Sequence, residues 1–81
     1  MPLFFFDYGE DDGGGLELDQ DGMEFPNIEA AYLDAYHAAI DMWAEARHQG
    51  REVGHHRFII SDAQRQVLLE LPFAEVLGRR R

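Results

Sequence analysis

A chain of 81 residues with a formal net charge of −9 is long enough for one small domain. It is too acidic for direct nucleic-acid binding, which needs cations to displace phosphate counterions. An apolar content of 46% with 12% aromatic residues excludes a disordered chain. The chain has no cysteine, no apolar run of about 18 residues and no basic start, so we expect a cytoplasmic protein without disulfides, membrane span or signal peptide.

The charge is distributed unevenly along the chain. Twelve carboxylates precede Arg47, the first basic residue, whereas seven arginines and four carboxylates occupy the stretch from Arg47 to the end. A one-signed surface repels like charges and steers opposite ones, so we expect this split to influence the choice of partner. Residues 79–81 are all arginine and are predicted to form a solvated basic tail, which leaves a single domain over residues 1–78.

The first predicted strand is Leu3–Tyr8, where three consecutive phenylalanines place rings on both faces and indicate a central strand. The glycine- and carboxylate-rich stretch 9–15 is predicted to be a loop. A second strand, Leu16–Asp19, alternates apolar and acidic residues. It is expected to return antiparallel to the first strand before a turn at Asp21-Gly22.

A long helix is predicted from Ile28 to about His48. Asn27 precedes it as an N-cap, and Gly50 follows it where a left-handed C-cap is favoured. At about 100° per residue, one stripe of this helix faces the sheet. That stripe consists of Ile28, Ala31, Ala35, Ala39, Met42 and Ala46.

The rest of the chain predicts a closing hairpin. Its strands are expected at His56–Ser61 and Gln66–Leu71, with Val67, Leu69 and Leu71 pointing inward. Pro72 has no N–H to donate and is expected to end the ladder, before a short helical turn at Phe73–Leu77. The predicted fold is an α+β, ββαββ two-layer domain, with one long helix packed on a four-stranded antiparallel sheet.

Three stretches of the chain resemble a known family. They are the start Met1–Asp7, the segment Asp21–Ala31 that reads DGMEFPNIEAA, and the ending Leu71–Glu75. Together they are similar to small alphaproteobacterial proteins of the rhizobial type that begin MPxYFFD. Phe4 stands where those proteins usually have tyrosine, and Gln64 where the closing turn often has glycine. The resemblance implies a cytoplasmic single-domain protein of unknown function and carries over no catalytic residue.

The inventory of reactive side chains is poor. Ser61 is the only serine, and the chain lacks threonine, cysteine and lysine. A serine nucleophile needs a base and an oxyanion hole, for which no pattern is present. The segment Glu17–Gly22 is similar to a calcium loop but has Ile28 at the position of the bidentate glutamate. We therefore expect no enzyme and assign no catalytic residue, cofactor or metal.

The helix offers a more informative pattern. Its apolar arc spans about 200°, which is wider than the stripe that one sheet needs. Exposed aromatic residues beside an apolar stripe are typical of protein contact surfaces. We therefore predict a partner-binding surface at Tyr32, Tyr36, Ile40 and Trp43.

The sequence leaves three functions open. The first is a non-catalytic protein-interaction or regulatory domain that forms a homodimer or other homo-oligomer. The second is an acidic nucleic-acid mimic that blocks a basic protein channel, and the third is a weak cation-binding domain. The mimic rests on the acidic first half of the chain, and the cation site would use Asp11, Asp12, Asp19, Asp21 and Glu24. We predict an acidic patch formed by Glu10, Asp11, Asp12, Asp19, Asp21 and Glu24.

Overall fold

The computed structural model describes residues 1–10 and 15–78, which form an α+β domain as predicted. The elements are β1 (Leu3–Glu10), β2 (Leu16–Glu17), β3 (Met23–Glu24), α1 (Ile28–His48), β4 (His56–Ser61), β5 (Val67–Pro72) and α2 (Phe73–Gly78). The sheet has the order β2–β1–β4–β5, β3 also pairs with β1, and all these pairings are antiparallel. Within the described ranges, neither helix has the length and apolarity needed to cross a membrane.

The predicted second strand is broken into two short pieces. β2 lies opposite Tyr8 and Gly9, whereas β3 lies opposite Leu3 and Phe4 at the other end of β1. The chain leaves the sheet between them, and Oδ2 of Asp19 accepts the N–H of Phe6 at 3.1 Å. A side chain thus replaces the backbone acceptor that a continuous strand would supply. The ββαββ prediction is therefore only partly right, and the observed order is βββαββα.

Helix α1 has the predicted bounds, caps and core stripe. Oδ1 of Asn27 accepts the N–H of Ala30 at 2.8 Å, and Gly50 follows the helix with φ of 73°. The four stripe alanines are buried, and the other two stripe residues are partly buried against the same core. The small alanine side chains allow α1 to lie close to the sheet.

The core between α1 and the sheet includes residues from β4, β5 and α2. Ile60, Leu71, Phe73 and Val76 have 0–1% of their surface exposed. The ring of Phe73 lies 5.3 Å from that of Phe58, between centroids. The predicted C-terminal helical turn is confirmed as α2, and it closes the core at this end of the sheet.

Two details of β5 differ from the prediction. Val67 was expected to point inward but is 58% exposed, because the pairing with β4 shifts by one residue between Ile60 and Ser61. An extra residue in one strand moves the residues beyond it to the other face. β5 also runs one residue further than predicted, because Pro72 pairs with Arg57 and is the last residue of the strand.

The hydrogen-bonding direction of the strands explains the position of Pro72. The N–H of Phe6 donates to Asp19, so it points away from β4. Backbone groups alternate in direction along an antiparallel strand. Following the alternation through β4 directs Leu69 and Leu71 toward β4, and Glu70 and Pro72 toward the free edge. The N–H that proline lacks would therefore face outward, and the sheet loses no hydrogen bond.

Candidate functional site

The predicted partner-binding residues lie together along one side of α1. Tyr32, Tyr36, Ile40 and Trp43 are partly buried against the core, and the Tyr32 and Tyr36 rings are 6.2 Å apart. Leu33 continues the same strip and is 55% exposed. We call these five residues the aromatic flank.

The opposite side of α1 is acidic and lies next to β1. Asp41 and Glu45 line an open cleft of about 350 Å³ together with Tyr8 of β1 and with Arg51 from the segment after α1. Burial is the main cause that raises the pKa of the Tyr8 phenol above its ordinary value. The aromatic flank lies on the side of α1 away from this cleft, where α2 packs on α1, β4 and β5.

The β5 side of the domain is also apolar at its edge. Val67 is 58% exposed and Leu68 is 45% exposed, and among the described strands β5 pairs with β4 alone. Val67 pairs with Ser61 beyond the register shift, so it points to the face of the sheet away from α1. The β5 edge thus combines exposed apolar side chains with a strand edge that no second described strand covers.

The other edge of the sheet is closed by a polar network. Oδ1 of Asp7, a residue with 7% exposure, accepts the N–H of Asp19 at 2.8 Å and a guanidinium N–H of Arg65 at 3.2 Å. Arg65 also donates to the carbonyl oxygen of Asp19 at 2.5 Å and lies 3.9 Å from the Phe5 ring centroid. A buried carboxylate is thus paired on both sides, which fixes the bulged loop over the sheet.

The network also explains the charge state of Asp19. Burial opposes its ionisation, but the N–H groups of Phe6, Gly22 and Asp21 donate to its carboxylate, and Arg65 lies nearby. Together these contacts hold the pKa of Asp19 below its ordinary value. Its oxygens are therefore directed at the protein's own backbone.

The predicted acidic patch is dispersed in the structure. Glu10 ends β1 beside His56, at 3.9 Å, whereas Glu24 pairs with Leu3 at the opposite end of that strand. Seven residues of extended chain separate the two ends by about 23 Å. Asp21 and Glu24 are exposed and Asp19 faces inward, while Asp11 and Asp12 lie outside the described residues.

The described residues offer little catalytic geometry. Residues 1–10 and 15–78 contain no group of three or more histidine, aspartate or glutamate side chains that could hold a metal ion. Ser61 is 2% exposed, so its hydroxyl is not available to a substrate in solution.

A comparison with protein families covers most of the chain. The model of DUF6894, a domain of unknown function, matches residues 3–74. The chain belongs to the DUF6894 family. The match begins with β1 and reaches into α2, so the DUF6894 domain contains the whole sheet, α1 and the aromatic flank. No curated protein and no solved structure matches this DUF6894 chain.

Two features of this region were not predicted from the sequence. The first is the exposed pair Val67-Leu68, which an even alternation of strand residues conceals. The second is the contact between Asp7 and Arg65, which are 58 residues apart in the chain. Of these residues, only Asp7 could have been singled out from the sequence, because a carboxylate within an apolar central strand needs a cationic or hydrogen-bonding partner.

Proposed function

We propose that this DUF6894 domain is a non-catalytic protein-interaction domain that associates with a second copy of itself through the aromatic flank of α1. The observation that carries the proposal is the 55% exposure of Leu33 within a strip of four partly buried large side chains. Contact surfaces of this size place aromatic residues at the centre and polar residues at the rim.

The placement of the carboxylates favours this function over the nucleic-acid mimic. A mimic needs carboxylates at the spacing of phosphates along one face, about 6–7 Å apart. Glu10 and Glu24 lie at opposite ends of β1, and Asp19 is directed inward. The start MPLFFFD and the absence of cysteine support the finer proposal of a bacterial, cytoplasmic protein of alphaproteobacterial origin.

The experiment is sedimentation velocity of the full chain at two concentrations, about 5 µM and 500 µM, which bracket an interface of ordinary micromolar to submillimolar strength. We expect the wild type to shift from monomer toward dimer. The test variant is Leu33→Gln, which keeps a good helix former but removes an apolar side chain. Its matched control is Leu18→Gln, because Leu18 is 54% exposed and lies on the other side of the sheet.

The expected effect follows from the area that is still exposed. Full burial of a leucine side chain contributes about 1.5–3 kcal/mol, so burying the exposed half contributes about 1 kcal/mol per copy. A two-fold dimer contains two such residues, so Leu33→Gln should raise the Kd by roughly 30-fold. Leu18→Gln should leave the Kd unchanged. Equal effects of the two variants, or a wild type that is monomeric at both concentrations, would contradict the proposal.

A further inference from the structure

The edge of the sheet suggests how two copies meet. We propose that their β5 strands pair antiparallel across a two-fold axis that passes through Leu69, so that both sheets join into one. This inference rests on the proposed self-association and adds its geometry. The occupant of the β5 edge is therefore a second copy of this chain.

The two edges of the sheet differ in their readiness to pair. The edge opposite β5 consists of two strands of two residues each, separated by the Asp19 loop. β5 has six residues and exposes Val67 and Leu68. Short strands and loops prevent edge pairing, whereas a longer apolar edge favours it. Of the two edges described, β5 is therefore the one suited to a new strand.

The register follows from the backbone groups of β5. Glu70 directs its N–H and C=O outward, but Pro72 contributes only a carbonyl. A two-fold axis at Glu70 would place the two glutamates opposite each other. It would also pair Leu68 with Pro72 of the other copy, which has no N–H to donate. Like charges directly opposite destabilise a sheet pair. An axis at Leu69 instead pairs each Leu68 with Glu70 of the other copy.

The axis at Leu69 also suits the side chains. Leu69 is partly buried against the core, on the helix side of the sheet. In an antiparallel pair, residues opposite each other without mutual hydrogen bonds approach to about 4.5 Å between Cα atoms. The two Leu69 side chains would therefore cover each other on the helix side of the joined sheet. Glu70 would remain on the open face, where it binds Arg57 at 2.7 Å.

The charges at the two ends of α1 also suit an antiparallel, two-fold arrangement. Glu29 lies at one end of the flank and Arg47, whose guanidinium is 5.0 Å from the Trp43 ring, lies at the other. A two-fold axis across the middle of α1 reverses one helix relative to the other. Each acidic end then faces a basic end, which is the charge complementarity that a self-associating surface needs.

The first test uses the absence of cysteine from the chain. Leu69→Cys introduces one thiol per copy, and the axis at Leu69 brings the two thiols within disulfide reach, about 4.4–6.8 Å between Cα atoms. We expect Leu69→Cys to form a covalent dimer under mild oxidation at concentrations where the wild type is dimeric. The control Leu16→Cys, 54% exposed on the opposite edge, should remain largely uncrosslinked.

The second test removes a backbone donor without changing the fold. Glu70→Pro deletes the outward N–H, and the natural Pro72 shows that the strand accepts proline at an outward position. Glu70→Ala is the control, because it also removes the ion pair with Arg57 but keeps the N–H. We expect Glu70→Pro to raise the dimer Kd about tenfold or more relative to Glu70→Ala, with the same far-ultraviolet circular dichroism.

The outcomes separate this inference from the proposed function. If Leu33→Gln weakens the dimer, but Leu69→Cys does not crosslink and Glu70→Pro associates like Glu70→Ala, the strand pairing is overturned and the helix surface stands. If Glu70→Pro unfolds, the crosslinking of Leu69→Cys alone tests the strand pairing: a covalent dimer supports it, and no covalent dimer overturns it. A wild type that stays monomeric at 500 µM would overturn both.

Discussion

Removal of the Asp19 carboxylate is expected to destabilise the domain more than its surface position suggests. Asp19 lies in the loop between β2 and β3, and its oxygens accept the N–H groups of Phe6, Asp21 and Gly22, each at 3.1 Å. Asp19→Ala leaves all three donors without this acceptor. The consequences differ, because water reaches the loop donors more easily than the N–H in the central strand.

The magnitude follows from the bond to Phe6. A hydrogen bond to a charged group contributes about 1.5–3 kcal/mol, and a donor that is left without a partner loses that contribution. Asp21 and Gly22 are near solvent, so we assign little to their bonds. We therefore expect Asp19→Ala to lower the free energy of unfolding by about 2–3 kcal/mol. Domains of this size have a total of about 4–12 kcal/mol, so the change is large.

Urea denaturation followed by circular dichroism measures this effect. With an m-value of about 1 kcal/mol per M, the midpoint should fall by roughly 2–3 M. All variants must be compared at one protein concentration, because self-association stabilises the fold by mass action. Asp21→Ala is the matched control, since Asp21 is an exposed carboxylate of the same loop. An unchanged midpoint for Asp19→Ala, or an equal loss for Asp21→Ala, would refute the assigned role.

Three further predictions concern single residues. The folded-state pKa of Asp19 is lowered from 3.8, so its stabilisation is present above about pH 4 and is lost as the pH falls through the folded value. Stability of the wild type should thus decrease more steeply in acid than that of Asp19→Ala, as measured by urea midpoints from pH 6 to 2.5. Asn27→Ala removes the cap of α1 and should cost about 1 kcal/mol, measured by thermal unfolding. Gly22→Ala should cost more than Gly50→Ala in the same assay: both have φ near +74°, but only at Gly22 would a new Cβ meet Leu3, at 3.0 Å.

Helical periodicity was the most informative part of the sequence. The spacing of the alanines between Ile28 and Ala46 predicted which face of α1 is buried, and the residues at both ends predicted where it begins and ends. These signals are local, because caps and the helical stripe depend on neighbours within four residues. The central position of β1 was predicted for a similar reason, from three adjacent phenylalanines.

The errors arose where long-range contacts override local pattern. The alternation of Leu16 and Leu18 indicates a strand, but Asp19 accepts the N–H of Phe6 and ends backbone pairing there. The position of Asp19 depends on its contacts with Asp7 and Arg65, and these two residues are far apart in the sequence. A one-residue bulge in β5 likewise exposes Val67, because a shift in register turns the side chains beyond it to the other face of the sheet.

The proposed contact surface could be predicted in part. Tyr32, Tyr36, Ile40 and Trp43 follow from helical spacing, and the structure places them on one flank of α1. The free edge of β5 depends on the order of strands in the sheet. Local patterns contain no information on which strand lies at an edge. For that reason, the combination of a helix flank and a strand edge required the structure.

Self-association is the central claim, and sedimentation velocity of the unmodified full-length chain from about 5 to 500 µM tests it most directly. We predict a concentration-dependent shift from a 9.3 kDa species toward a dimer of twice that mass, and a loss of this shift in Leu33→Gln but not in Leu18→Gln. A single 9.3 kDa species across the whole range would contradict the claim.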